Sequence, residues 1–137
     1  MQKHYQNKSR AVLIFSCLLF NSILSVPQEI VADYTAQLIE KNQGPVVIMI
    51  YADYCGACKT AKKELSYITK QVGNKVSFYM CNVQDPFGMA FLKNHTILER
   101  EVNSIPVFII RNKGKLAYFQ QGYPGKENLI QKIQALC

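Results

Sequence analysis

The chain has 137 residues, of which 49% are hydrophobic, and its 16 Lys and Arg against 9 Asp and Glu give a net charge of +7. This length and composition suit one domain that buries an ordinary core without help from metals or many disulfides. The lysines are scattered and form no basic stripe with interleaved aromatics. A nucleic-acid-binding function is therefore not expected.

The first 25 residues have the layout of a secretory signal peptide. Three basic residues and no acid precede an apolar run from Ala11 to Phe20, and Asn21 and Ser22 interrupt its continuation. The run is shorter than the roughly 20 residues that span a bilayer. We therefore predict an exported protein, periplasmic or secreted, with residues 1–25 as a cleaved signal peptide and 26–137 as the mature domain. The alternative is an uncleaved anchor, which would be the only contact with a membrane.

The next part of the chain predicts a helix, a strand, a second helix and a second strand. Apolar residues return at helical spacing between Gln28 and Asn42. Val46 to Tyr51 is continuously apolar and rich in β-branched residues, which is typical of a strand at the centre of a sheet. A helical stripe then runs from Cys55 to Val72, and Val76 to Cys81 favours another strand. This unit has the right length for a crossover between parallel strands and indicates an α/β fold.

The last part predicts one more helix, a hairpin and a closing helix. Asp85-Pro86 is a typical helix start, with an N-cap followed by proline, for a helix that runs to about Asn94. Val107 to Ile110 and Leu116 to Phe119 predict two strands joined by a glycine-containing loop. Apolar spacing after Gly122 predicts an amphipathic helix up to the C-terminus.

Two of the five cysteines stand two residues apart, in Tyr54-Cys55-Gly56-Ala57-Cys58-Lys59, where a predicted strand leads into a predicted helix. The first-turn N–H groups and the positive end of the helix dipole stabilise a thiolate, so Cys55 is the predicted nucleophile. Cys58 lies one turn below and is the predicted resolving cysteine. We expect Gly56 to let the loop bend tightly beside a substrate and Lys59 to add a positive charge near the thiolate.

A Cys-x-x-Cys pair alone also fits half of a zinc site or a structural disulfide. A zinc site would need two more ligands, and none of the candidates forms a second pair at ligand spacing: Cys81, Cys137, His4 and His95. We therefore expect no metal and no cofactor.

At this point a family resemblance is clear. Tyr51-Ala52-Asp53-Tyr54-Cys55-Gly56-Ala57-Cys58-Lys59 resembles the active-site segment of the thioredoxin superfamily, and Ser104-Ile105-Pro106-Val107-Phe108 is similar to its cis-proline segment. The resemblance covers about residues 28–136. It implies the thioredoxin fold, a central mixed β-sheet with helices on both faces. It also implies a cis Ile105–Pro106 bond that lies against the cysteines and leaves the Ile105 backbone free to pair with an extended substrate. Tyr54, Gly56 and Ala57 are expected to contact the same substrate.

By this resemblance the chain is expected to be a monomeric thiol–disulfide oxidoreductase that reduces or isomerises protein disulfides through its Cys-Gly-Ala-Cys dithiol. Its partners would be disulfide-containing protein substrates and an unidentified redox partner. Ala57 stands where thioredoxins have Pro and where disulfide isomerases or oxidases often have His. His there would favour oxidation of substrates, so its absence argues for reduction or isomerisation. The alternative is a non-catalytic peptide-binding module in which Cys55 and Cys58 form a structural disulfide.

Several positions depart from the family pattern. Met49 stands where thioredoxins have a buried Asp, Met80 where they have a Lys, and Tyr54 where many relatives have Trp. Met49 is therefore expected to modulate the reaction, because a thioether accepts no proton at neutral pH. The stretch from Asn82 to Pro106 also looks longer than in a minimal thioredoxin. Neither remaining cysteine has a family role: Cys81 is expected to be a buried small hydrophobe, and Cys137 to be exposed and able to pair with another chain.

Overall fold

The computed structural model describes residues 26–29, 33–94 and 101–137. Its elements in chain order are β1 Gln28–Glu29, α1 Asp33–Lys41, β2 Val46–Tyr51, α2 Gly56–Val72, β3 Ser77–Asn82, α3 Pro86–Asn94, β4 Val107–Asn112, β5 Lys115–Gln121 and α4 Lys126–Leu136. The predicted signal peptide lies outside the described residues. Among the described helices, none is both long and apolar enough to cross a bilayer.

Five strands form one sheet in the order β1-β3-β2-β4-β5. Strand β2 pairs parallel with β3 and antiparallel with β4, so the sheet is mixed and β2 lies at its centre. Every residue of β2 is buried, which explains why its sequence is continuously apolar rather than alternating.

Helices cover both faces of the sheet. Successive side chains of a strand point to opposite faces, and in β2 this sends Met49 and Tyr51 into a core with α2 and α4. Ile48 and Ile50 point the other way, into a second core with Ile39 of α1 and with α3. The two-layered core and mixed sheet are the thioredoxin fold that the resemblance implies.

The N-terminal strand corrects the sequence prediction. Helical spacing predicts a helix from Gln28, which is wrong, because Gln28 and Glu29 pair parallel with Tyr79 and Met80 of β3. The helix α1 begins at Asp33. Two residues are too few to show a strand periodicity in the sequence. The strand forms because β3 offers an edge to pair with.

The predicted turns and caps follow local chemistry. The amide of Phe87 donates to Asp85 Oδ1 at 2.8 Å, so Asp85 caps α3 as expected. The β4–β5 hairpin turns at Lys113 and Gly114, whose φ angles are 52° and 71°. Positive φ at both turn residues suits a tight two-residue hairpin, and glycine adopts it without strain.

Candidate active site

The end of β2 delivers Cys55 to the N-terminus of α2. Cys55 is the N-cap residue, with φ −79° and ψ 113°. Its N–H donates to the Ala52 carbonyl at 3.2 Å, and its carbonyl accepts from Lys59 N at 3.1 Å. Its Sγ accepts a hydrogen bond from Cys58 N at 3.1 Å. The sulfur therefore satisfies one of the free N–H groups at the positive end of the helix.

Cys55 and Cys58 are joined by a disulfide, with 5.2 Å between their Cα atoms. Cys55 is partly exposed, whereas Cys58 is completely buried. A molecule approaching from solvent therefore meets the Cys55 sulfur first. This asymmetry is what the predicted nucleophile and resolving cysteine require.

The Ile105–Pro106 segment lies directly against the disulfide. Its peptide bond is cis, as the resemblance implies. The Ile105 carbonyl oxygen lies 3.7 Å from Cys55 Sγ, a distance at which the thiol of the reduced protein would donate weakly to it. The Pro106 carbonyl accepts from Gly122 N at 2.7 Å, which ties the segment to the end of β5.

The rim of the site is open. Tyr54 is 73% exposed, and Gly56, Ala57 and Lys59 are exposed as well. The tight bend expected from Gly56 is not found, because Gly56 is the first residue of α2 and its φ is not positive. A Cβ added there would meet no heavy atom within 4 Å. Its missing side chain leaves the surface beside Cys55 open.

Met49 and Met80 are direct partners in the parallel register of β2 and β3. Met49 is only 1% exposed and belongs to the core cluster that contains Cys58, whereas Met80 is partly buried and packs against that cluster. The two positions where the resemblance implies a buried acid and a lysine are thus neighbours in the sheet, and both carry thioethers, which do not titrate.

A polar cluster that the sequence did not reveal lies at the ends of β1 and β2. The Tyr51 hydroxyl donates to Glu29 Oε1 at 2.7 Å. Lys62 Nζ lies 4.0 Å from the Tyr51 ring centroid and 4.0 Å from Asp53 Oδ1. Burial, and then the hydrogen bond to Glu29, raise the pKa of Tyr51 above its usual value, so its phenol stays a donor. For Lys62 the sequence did offer a signal, because its i, i+4 spacing from Cys58 puts both residues on one side of α2.

The two remaining cysteines lie away from the disulfide. Cys81 is completely buried, and its thiol donates to the Gly88 carbonyl at 3.6 Å, so the expectation of a buried hydrophobe is confirmed. Cys137 is exposed, as expected, and forms no disulfide with another described residue; its pairing with another chain stays a prediction. In the ranges 26–29, 33–94 and 101–137, no three His, Cys, Asp or Glu side chains cluster as metal ligands would. His4 and His95, two of the zinc candidates, lie outside the described residues.

Comparison with known proteins adds to this geometry. The family model described as thioredoxin matches residues 26–135. Chloroplastic thioredoxin Y of Oryza sativa subsp. japonica is 27% identical over 100 residues, which are 72% of this chain and 55% of that protein. The chloroplastic thioredoxin-like protein HCF164 of Arabidopsis thaliana is 29% identical over 99 aligned positions, and the match covers 61% of this chain and 38% of that protein. The chain thus spans about half, or less, of the length of these curated relatives.

A solved structure gives the same picture. Oxidised mitochondrial thioredoxin 3 from Saccharomyces cerevisiae is 25% identical, with a TM-score of 0.62. The match covers 80% of this chain and 95% of that one. The residues that the structure describes make up nearly all of the range 26–135 that the family model matches.

Proposed function

This chain belongs to the thioredoxin family, and we propose that it is an exported thiol–disulfide oxidoreductase that reduces or isomerises protein disulfides through Cys55 and Cys58. The observation that carries the proposal is the position of the disulfide. Cys55 caps a helix N-terminus, and its partly exposed sulfur lies 3.7 Å from the Ile105 carbonyl oxygen, whereas the Cys58 sulfur is buried. A disulfide with a purely structural role needs neither an exposed sulfur nor a helix dipole aimed at it.

In the reductive direction, the Cys55 thiolate attacks one sulfur of a substrate disulfide. A new bond forms between Cys55 and the substrate, and the other substrate sulfur leaves as a thiolate that takes up a proton. Cys58 then loses its proton, attacks Cys55 Sγ and releases the second substrate sulfur as a thiol. Two electrons have passed to the substrate, and the Cys55–Cys58 disulfide of this structure remains. A donor dithiol from a redox partner must reduce it again.

Isomerisation uses the same first step and a different last one. Another thiol of the substrate attacks the mixed disulfide, so that Cys55 leaves as a thiolate and no electrons are transferred overall. The Cys58 N–H that bonds to Cys55 Sγ supports both routes, because an N–H donor stabilises a thiolate more than a neutral thiol. Lys59 is proposed to add a positive charge nearby.

The substrate is proposed to be an extended segment of a protein that carries a disulfide. Such a segment would pair with the backbone of Ile105 and contact the exposed surface of Tyr54, Gly56 and Ala57. Main-chain pairing selects an extended chain without demanding particular side chains. This suits an enzyme that acts on many exported proteins. The enzyme is proposed to work as a monomer.

Reduction of insulin by dithiothreitol tests the proposal. The wild-type protein should accelerate it, the Cys55→Ser variant should not, and Cys137→Ser, which changes an exposed cysteine outside the site, should match the wild type. If the wild type gives no acceleration but binds extended peptides, the non-catalytic peptide-binding module replaces the oxidoreductase.

Two further measurements test the finer parts of the proposal. Equilibration with glutathione gives the reduction potential of the pair, in which about 30 mV corresponds to about 1.4 kcal/mol, and so separates a reductant from an oxidant. Mass spectrometry of the protein recovered outside the cytoplasm tests export, since residues 1–25 should be missing.

A further inference from the structure

Gln121, the last residue of β5, holds the chain that leads into Ile105–Pro106. Its side-chain Oε1 accepts hydrogen bonds from Asn103 N at 3.2 Å, from Ser104 N at 3.0 Å and from Ser104 Oγ at 3.0 Å. Three donors from two adjacent residues thus converge on one amide oxygen. A carbonyl oxygen has two lone pairs, so three donors saturate it and two of them share one lone pair.

The position of Gln121 in the sheet explains how it reaches this segment. Gln121 pairs with Val107 in the antiparallel register of β4 and β5, so it lies beside the first residue after Pro106. The next residue, Gly122, donates its N–H to the Pro106 carbonyl at 2.7 Å. The end of β5 therefore holds the cis-proline segment on both sides, through the Gln121 side chain before it and the Gly122 backbone after it.

We propose that Gln121 is a positioning residue that holds Asn103 and Ser104 so that the backbone of Ile105 is ready to pair with an extended substrate beside Cys55. This rests on the proposed function. Asn103 and Ser104 are exposed and lie outside any helix or strand, so no helix or strand hydrogen bonds hold their backbone and the bonds to Gln121 restrict it. Ordering backbone costs entropy. A segment that is already ordered binds a substrate chain without meeting that cost on binding.

The proposal depends on the hydrogen-bond acceptor of the Gln121 side chain. Two substitutions separate the effect of this acceptor from the effect of the side chain's length. Gln121→Glu keeps an oxygen in place, and a carboxylate accepts from N–H and O–H donors at least as well as an amide. Gln121→Met has a similar length but offers only a weak acceptor. Gln134→Met is the matched control, since Gln134 lies on α4 and its amide bonds to the Gln71 carbonyl, away from the disulfide.

The kinetic test compares two substrates of the reduced protein. One is a disulfide-linked peptide, and the other is hydroxyethyl disulfide, which has no backbone to pair with Ile105. Gln121→Met should lower kcat/KM for the peptide by roughly tenfold, the effect of one or two lost hydrogen bonds. It should leave the small disulfide unchanged, and Gln121→Glu and Gln134→Met should match the wild type on both substrates. Equal losses on both substrates, or no loss on the peptide, would overturn the proposal.

Backbone hydrogen exchange tests the holding role without any activity. The amides of Asn103 and Ser104 should exchange slowly in the wild type and in Gln121→Glu, and faster in Gln121→Met. Equal exchange in all three proteins would overturn the inference even if the enzyme is active. A wild type that reduces neither disulfide would instead overturn the proposed function, whatever the exchange shows.

Discussion

Two completely buried cysteines lie on opposite faces of the sheet, and only one of them is joined to a second sulfur. Cys58 lies in the core under α2 and α4, bonded to Cys55, whereas Cys81 lies in the core under α1 and α3 as a free thiol. Both have no exposed surface. Burial alone therefore does not separate a reactive cysteine from an inert one. The difference is a helix N-terminus that holds a partner sulfur within reach.

The surroundings of the two sulfurs differ in charge as well. Burial, followed by the negative charges of Glu29 and Asp85, raises the pKa of the Cys81 thiol to about 12. Cys81 is therefore a neutral thiol at physiological pH and a poor nucleophile. The core around Cys58 contains Met49 and Met80, which neither donate nor accept a proton at neutral pH.

The largest effect should come from Cys58→Ser, which leaves the nucleophile without its resolving thiol. The variant should lose turnover and accumulate mixed disulfides with its substrates through Cys55. Non-reducing gels and mass spectrometry of the linked peptides identify the cysteine involved. The control is Cys81→Ala, which should keep wild-type turnover. Mixed disulfides linked through Cys81 would break the comparison between the two cysteines.

Met49→Asp should sharpen the comparison by giving the buried side of the pair a proton acceptor. In the wild type, we expect Cys58 to hold its proton tightly, so that resolution is slow near pH 7 and rises with pH. The aspartate should speed resolution of a Cys55 mixed disulfide at pH 7 by up to about a hundredfold, as a general base does. It should also lower the free energy of unfolding by roughly 1–3 kcal/mol, because it buries a carboxyl group.

The matched control for this variant is Met49→Leu, which keeps the volume and adds no acceptor, and should cost less than about 1.5 kcal/mol. Stopped-flow mixing of a preformed mixed disulfide measures the rate of each protein. A folded Met49→Asp variant that resolves no faster than Met49→Leu would mean that Met49 is core packing and that the proton leaves by another route.

The smallest effect at neutral pH is on stability, and it depends on the titration of Cys81 at alkaline pH. Because the pKa of Cys81 rises from 9.0 to about 12 on folding, the folded protein keeps a proton that the unfolded chain loses above about pH 9. The contribution of the neutral Cys81 thiol to stability is full below pH 9 and is lost as the pH rises toward 12, by about 1.4 kcal/mol per pH unit. Cys81→Ala should be less stable at pH 7 by roughly 1 kcal/mol, and this deficit should disappear by about pH 10, where the wild type has lost about 1.4 kcal/mol. Urea unfolding of the oxidised proteins measures it, and a deficit independent of pH would contradict the assignment.

Much of the fold follows from local patterns. The continuous apolar run of β2, the stripe of α2 behind Cys55 and the Asp85 cap of α3 each depend on residues within a turn or a strand of one another. Such patterns reflect the periods of helix and strand, which exist before any tertiary contact. The Cys-x-x-Cys pair at a strand-to-helix junction was readable for the same reason.

The remainder of the site could be decided only by packing of the whole chain. The Tyr51 hydroxyl meets Glu29 across 22 residues of sequence, and the Gln121 oxygen meets Ser104 across 17. Strand β1 exists only because β3 offers it an edge, and Met49 faces Met80 only because of the register between β2 and β3. Local periodicity carries no information about which distant residues a register brings together. Composition and spacing thus located the two sulfurs, while the sheet selected the side chains that surround them and hold the segment opposite.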